Sequence, residues 1–195
     1  MEIVSRQKRL DKELREQVTT VCAYGGAAEG TKQLHRSGAY SIGQAVAQMG
    51  LNLVYGGGSL GLMGQVSKGA LDAGGHVTGI IPTFLDQREV SNHAVHELRV
   101  VADMHERKQL MFDLSQVFVV LPGGLGTLEE MFEVLTWKQL DQHSKTIILA
   151  NFDGYWDPAL ELMRHMGEEG YLHSQSEELL FEVKSVEEFV ALFEK

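Results

Sequence analysis

Three short apolar runs in this chain end in clusters of glycine and lead into helix-like patterns. Residues 19–24 run into Gly25-Gly26, residues 51–55 into Gly56-Gly57-Gly58, and residues 117–121 into Pro122-Gly123-Gly124-Leu125-Gly126-Thr127-Leu128-Glu129-Glu130. Strands that alternate with helices in this way form a parallel sheet covered on both faces, and such sheets bind ligands beyond the carboxyl ends of their strands. Glycines at that edge leave backbone N–H groups uncovered at a helix N-terminus, which favours an anion, most often a phosphate. Glu130 is out of place in that setting, because a carboxylate repels a phosphate. It serves another part of a ligand, or none.

The rest of the chain extends the alternation. Helical spacing over 34–49 puts Ile42, Val46 and Met49 on one face, with Gly50 as the cap. After strand 51–55 come a helix over 62–71, a strand over 76–81 stopped by Pro82, an irregular stretch over 83–94 and a strand over 98–101. Asp103 is placed to cap a helix over 104–114. Strand 117–121, the glycine motif and an amphipathic helix over 131–140 follow, then a strand over 146–150 and helices over 156–166 and 186–193. The expected fold class is α/β, a doubly wound and mainly parallel sheet. Residues 1–18 read as a charged helix or a disordered lead-in, and 19–195 as one domain with room for a full core.

A formal net charge of −10 argues against nucleic acid or an acidic membrane as partner, since both are polyanions. It leaves room for a small anionic ligand in a locally positive pocket. The single cysteine, Cys22, excludes an intramolecular disulfide and a multi-cysteine metal site. The eight histidines lack metal-ligand spacing, so no metal is expected. The charged N-terminal stretch has no long apolar run, and a cytoplasmic location is the expectation.

Gly56-Gly57-Gly58-Ser59-Leu60-Gly61 satisfies G-x-G-x-x-G after a strand, but the next strand ends Ile80-Ile81-Pro82 without the acid that a dinucleotide ribose requires. Two anion-binding loops on one site fit a mononucleotide or a sugar phosphate better. Two charges also stand on apolar stripes. Positions 104, 107, 111 and 114 read Met, Arg, Met, Leu, and positions 127, 130, 134 and 137 read Thr, Glu, Val, Trp. An unpaired charge on such a face costs several kcal/mol, so Arg107 and Glu130 either face a ligand or form a structural salt bridge. Glu129 shares its stripe with Gly126, Glu133 and Thr136 and reads as solvated.

Three segments together resemble the LONELY GUY family, the cytokinin riboside 5′-monophosphate phosphoribohydrolases. They are residues 55–64 (Y-G-G-G-S-L-G-L-M-G), residues 104–108 (M-H-E-R-K) and residues 122–130, which fit the family's P-G-G-x-G-T-x-x-E. The likeness covers about residues 20–150. The family has also carried the label lysine decarboxylase, for which this chain shows no pyridoxal-phosphate lysine context.

The resemblance implies a Rossmann-like fold, a homodimer, no cofactor, and hydrolysis of adenosine 5′-monophosphate or its N6-prenylated form to free base and ribose 5-phosphate. The family's essential arginine and glutamate fall on Arg107 and Glu130. Its nucleotide contacts fall on Gly56, Gly57, Gly58, Met104, Lys108, Gly123, Gly124, Leu125, Gly126 and Thr127. In the mechanism this implies, residues 123–127 hold the 5′-phosphate and residues 56–58 close over the nucleotide. Glu130 stabilises the sugar cation, binds the ribose hydroxyls or orients water, and Arg107 neutralises the departing base or positions Glu130. One departure stands out: the family's first loop commonly reads C-G-S-S, and here Tyr24-Gly25-Gly26-Ala27-Ala28 lacks two hydroxyl donors. The alternative is a nucleotide or molybdenum-cofactor carrier on the same scaffold; an NAD-dependent dehydrogenase ranks third, for want of the ribose-binding acid.

Overall fold

The computed structural model describes residues 9–86, 91–172 and 179–194. The expected lead-in at 1–8 and the centre of the irregular stretch, 87–90, lie outside the described residues. Within them the strands are β1 (Thr20–Tyr24), β2 (Asn52–Tyr55), β3 (Val77–Pro82), β4 (Glu97–Val101), β5 (Val117–Val120), β6 (Thr146–Ala150) and β7 (Phe181–Val183). They form one seven-stranded sheet in the order β4-β3-β2-β1-β5-β6-β7, and every neighbouring pair is parallel. The chain steps outward from β1 to β4, returns to the other side of β1 with β5, and steps outward again. The strand order therefore reverses between β1 and β5, where a doubly wound sheet opens a crevice.

The helices are α1 (Lys12–Gln17), α2 (Gln33–Gln48), α3 (Gly61–Asp72), α4 (Thr83–Asp86), α5 (Met104–Leu114), α6 (Leu125–Gln139), α7 (Asp157–Glu168) and α8 (Val186–Phe193), with a 3-10 turn at Phe152–Gly154. Successive strand residues point to opposite faces. Val21 and Ala23 of β1 join the core under α2, α3 and α8, whereas Cys22 and Tyr24 join the core under α5, α6 and α7. β1, β3 and β5 are buried along their whole length, as a sheet covered on both sides requires. Leu10 and Val18 belong to the first core, and the Leu10 N–H donates to the Leu192 carbonyl at 2.8 Å, so the stretch just before β1 packs against α8.

The departures from the sequence reading have local causes. α6 begins at Leu125, six residues before the expected start at 131, because the Leu128 N–H already bonds the Gly124 carbonyl at 3.0 Å. Pro82 closes β3 instead of lying beyond it; paired with Val101, it occupies the last position of the strand, where a missing N–H is tolerated. The stretch 83–94 contains α4, and Gly58 makes an isolated antiparallel bridge to Ser91. β7, three residues long, was too short to show a period. Gly50 adopts φ +74° at the end of α2, as its capping position requires. Among the described residues no helix is long and apolar enough to cross a membrane.

α2 and α3 touch backbone to backbone. A Cβ on Gly43 would lie 2.0 Å from the Val66 carbonyl oxygen, and a Cβ on Gly69 would lie 1.9 Å from that of Tyr40. Gly43→Ala and Gly69→Ala should each destabilise the fold by roughly 1–3 kcal/mol, because rigid helix backbones must separate. Urea denaturation checks this, and an unchanged midpoint in both variants would refute the close approach.

Candidate active site

A cavity of about 500 Å³ opens where β1 and β5 end. Its lining includes the β1–α2 loop, with Gly25, Gly26, Ala27, Ala28 and Gly30, and next to it the β5–α6 turn, with Pro122, Gly123, Gly124, Gly126 and Thr127. The two loops are bonded to each other, the Gly26 N–H donating to the Pro122 carbonyl at 3.1 Å. The Gly26 carbonyl in turn accepts from Leu62 and Met63, at 2.9 and 3.3 Å, and so occupies the N-terminus of α3. Gly123 has no room for a side chain: a Cβ would lie 2.1 Å from Thr127 Oγ1 and 2.9 Å from the Gly26 nitrogen. Gly124 and Gly126 face open space. No side chain caps α6 at Gly124, and the first N–H groups of a helix have no partner within it. Its positive end is thus left at the cavity wall.

Arg107 is brought to the same cavity by the start of α5. Asp103 Oδ1 accepts from the His105 and Glu106 N–H groups, both at 2.9 Å, and Glu106 reaches back to the Ala102 N–H at 2.7 Å. This double cap fixes the first turn and the direction of Arg107. Only 5 % of Arg107 is exposed. Its Nη2 donates to the Gly56 carbonyl at 3.2 Å, its Nη1 stands 3.6 Å from Met104 Sδ, and its buried Nε finds no partner. Glu130, 8 % exposed, lines the same cavity from the second turn of α6. Burial pushes its carboxyl up to about 7; the Arg107 charge opposes that rise and Glu129 adds to it. Among the described residues no ion pair joins Arg107 to Glu130, so the structural salt bridge allowed by the spacing is not formed.

The neighbouring pair behaves differently. Lys108 is bonded to Glu129 and, at 2.9 Å, to Glu133, which ties α5 to α6. Burial lowers the affinity of its ammonium for a proton, but the two carboxylates outweigh that and leave its pKa raised. Lys108 does not line the cavity. One residue along a helix turns the side chain by about 100°, which separates Arg107 from Lys108 and Glu130 from Glu129.

Of the residues marked in the sequence, Met104, Arg107, Gly123, Gly124, Gly126, Thr127 and Glu130 meet at the cavity. Gly56, Gly57, Gly58, Lys108 and Leu125 lie outside its lining, and Leu125 is 85 % exposed. The 56–58 loop follows β2, one strand removed from the reversal in strand order, and none of its glycines is among the lining residues. Gly56 serves by leaving space: a Cβ there would lie 2.0 Å from Arg107 Nη2. The structure adds His35, Tyr155, Leu62, Met63 and the first loop to the lining. The Tyr155 hydroxyl donates to the Gly123 carbonyl at 2.6 Å, and the His35 ring meets the Tyr155 ring edge-on at 5.2 Å. His35 had a signal, lying seven residues before Ile42 on the buried stripe of α2. Tyr155, after a glycine in a connecting turn, had none.

Fold and site together define a Rossmann-like protein with an uncapped helix start at the sheet's crevice and, beside it, two buried charged residues that are not paired with each other. Solved structures agree with the fold. The molybdenum cofactor carrier protein of Chlamydomonas reinhardtii is 23 % identical with a TM-score of 0.67, covering 90 % of this chain and 95 % of that one. The molybdenum cofactor binding protein of Rippkaea orientalis is 24 % identical with a TM-score of 0.63, covering 96 % of each. Residues 63–193 match the family described as "possible lysine decarboxylase". The cytokinin riboside 5′-monophosphate phosphoribohydrolase LOG of Oryza sativa subsp. japonica is 41 % identical over 183 residues, 94 % of this chain and 76 % of that protein. LOG3 of Arabidopsis thaliana, which has the same enzyme name, is 42 % identical over 175 residues, 90 % of this chain and 81 % of that protein. The chain belongs to this LONELY GUY family of phosphoribohydrolases.

The raised Glu130 pKa links the site to stability. A carboxyl that holds its proton more tightly when folded stabilises the fold below its unfolded pKa, and that contribution is lost as pH rises through about 7. Glu130→Gln, neutral throughout, should be more stable than the wild type by roughly 3 kcal/mol at pH 8, with the gap closing toward pH 5. Denaturant midpoints across that range test this; a gap independent of pH would contradict the burial of an ionisable Glu130.

Proposed function

We propose that this protein hydrolyses the N-glycosidic bond of adenosine 5′-monophosphate or its N6-prenylated counterparts, releasing free base and ribose 5-phosphate. The observation that carries the reading is that Arg107 and Glu130, both buried and not paired with each other, share one cavity with the uncapped start of α6. Relatives about 41 % identical over most of the chain bear the name of this activity. In this reading the 5′-phosphate rests on the N–H groups of residues 123–127, and the sugar lies toward Glu130.

As the bond from C1′ to the purine nitrogen breaks, its electron pair leaves with the base and C1′ becomes cationic. The Glu130 carboxylate stabilises that cation and takes a proton from the water whose oxygen bonds to C1′. Arg107 offsets the negative charge that grows on the base until it takes up a proton from solvent, the equivalent of the one Glu130 accepts from water and later returns. A carboxyl raised to about 7 suits a group that accepts a proton near neutrality. Gly56, through its carbonyl, seats Arg107 rather than touching the nucleotide. The proposal extends to a cytoplasmic homodimer, for which light scattering should give the mass of two chains.

Incubation with adenosine 5′-monophosphate and its isopentenyl form, followed by chromatography, should yield free base. Glu130→Gln and Arg107→Ala should each lower kcat/KM by about 100-fold or more while ribose 5-phosphate still binds. The wild-type kcat/KM should rise with pH through about 7 and then level off, as the carboxylate form accumulates. Near-normal turnover in either variant would sink the assignment, and tight nucleotide binding without base release would point to a carrier.

A further inference from the structure

Among the described residues, five buried side-chain polar atoms lack a hydrogen-bond partner, and two of them belong to residues lining the cavity at the β1 and β5 ends: Arg107 Nε and His35 Nε2. The first belongs to the pair of charges already described. The second belongs to His35, which lies on α2 and is 6 % exposed. Its ring stands edge-on to Tyr155, and Tyr155 holds the Gly123 carbonyl. The imidazole is therefore linked through Tyr155 to the turn that carries Gly123.

The two glycine loops bring one side-chain donor to the cavity lining, the Thr127 hydroxyl. Gly25, Gly26, Ala27 and Ala28 offer none, and the Tyr155 hydroxyl is spent on Gly123. A phosphate monoester presents three strong acceptor oxygens. An unsatisfied buried nitrogen costs about 1–3 kcal/mol, and an apolar ring of the same shape would remove that cost.

Resting on the nucleotide-hydrolase reading, we infer that His35 is a further ligand-binding residue, an N–H donor to the 5′-phosphate that serves the loop in place of side-chain hydroxyls. Tyr155 is the positioning residue of the pair: by holding the Gly123 carbonyl it keeps the loop's N–H groups free for the same phosphate. Nε2 is sealed from solvent. A turn of the imidazole about its Cβ–Cγ bond, or a small shift of the Tyr155 ring, which is 40 % exposed, opens it to the ligand.

Two substitutions separate this role from a structural one. His35→Phe keeps the ring and removes both nitrogens; His35→Gln keeps an N–H donor. Calorimetry with ribose 5-phosphate should show binding about tenfold weaker in the Phe variant and within about threefold of wild type in the Gln variant, as loss of one hydrogen bond to a charged group predicts. The Phe variant should also melt above the wild type, because its unsatisfied nitrogen is gone; a structural histidine would give the opposite shift. In the wild type, the His35 side-chain nitrogen resonances should move when ribose 5-phosphate is added, a readout that needs no variant.

Undiminished binding in the Phe variant, a Gln variant as weak as the Phe variant, or unmoved resonances overturn the inference. If the wild type releases base while the Phe variant binds normally, this inference alone fails. If ribose 5-phosphate binding depends on His35 but no base is released, the hydrolase reading alone fails. Absence of ribose 5-phosphate binding in the wild type overturns both.

Discussion

The site depends on a contact between two backbones. Gly26 and Gly123 pass so close that a Cβ on Gly26 would lie 3.3 Å from the Gly123 Cα, and the Gly26 N–H bonds the residue before Gly123. That contact joins the ends of β1 and β5, the two strands between which the order reverses. It also reaches α3, because the Gly26 carbonyl occupies the α3 N-terminus. One helix start is thereby satisfied by the protein itself. The other, α6, is left without a side-chain cap beside the cavity. The asymmetry matters, because unsatisfied N–H groups at a helix start attract an anion and satisfied ones do not.

The same economy governs the charges. α5 and α6 each carry two adjacent charged residues that face each other, Arg107-Lys108 and Glu129-Glu130. The Lys108 side is closed by its bonds to Glu129 and Glu133. Arg107 and Glu130 stay apart, each with little solvent. Lys108 fixes the spacing of the helices, and that rigidity holds the other two at their positions without letting them neutralise each other. A site whose charges are held in place before a ligand arrives needs no reorganisation during the reaction. The cost appears as a carboxyl held at about 7.

Much of this was legible in the sequence, for a definite reason. A charged residue on an apolar helical stripe must have a purpose, and that test selected Arg107 and Glu130 without any knowledge of the fold. Applied to α2 it selects His35 as well, seven residues before Ile42 on the same buried stripe. The 56–58 loop is less legible. Its glycines look as suited to a ligand as those at 123–126, yet strand order decides which loop borders the crevice, and strand order comes from long-range pairing that no local pattern records. α6 began earlier than expected because glycines lower helix propensity, whereas at a first turn their cost is offset by the close approach they permit.

A protein of net charge −10 that binds a phosphate monoester must overcome its own field near the site. Lys108 contributes little to this, since two carboxylates surround it. Backbone N–H groups contribute without adding net charge, and a neutral Glu130 adds no repulsion. Bringing a dianion into the cavity favours the protonated form of Glu130 further, whereas Arg107 opposes that shift. The separation between the glycine loop and Glu130 then sets how far substrate binding moves the proton affinity of the group that must be ionised to act. Thr127 and Glu130 lie three residues apart on α6, about 5 Å along the helix axis, so in the proposed reading one turn of rigid helix separates the phosphate from the carboxylate. In that reading the spacing reconciles an anion cradle with a carboxylate on the same helix: near enough for one nucleotide to span both, while the rigid turn keeps the two from meeting.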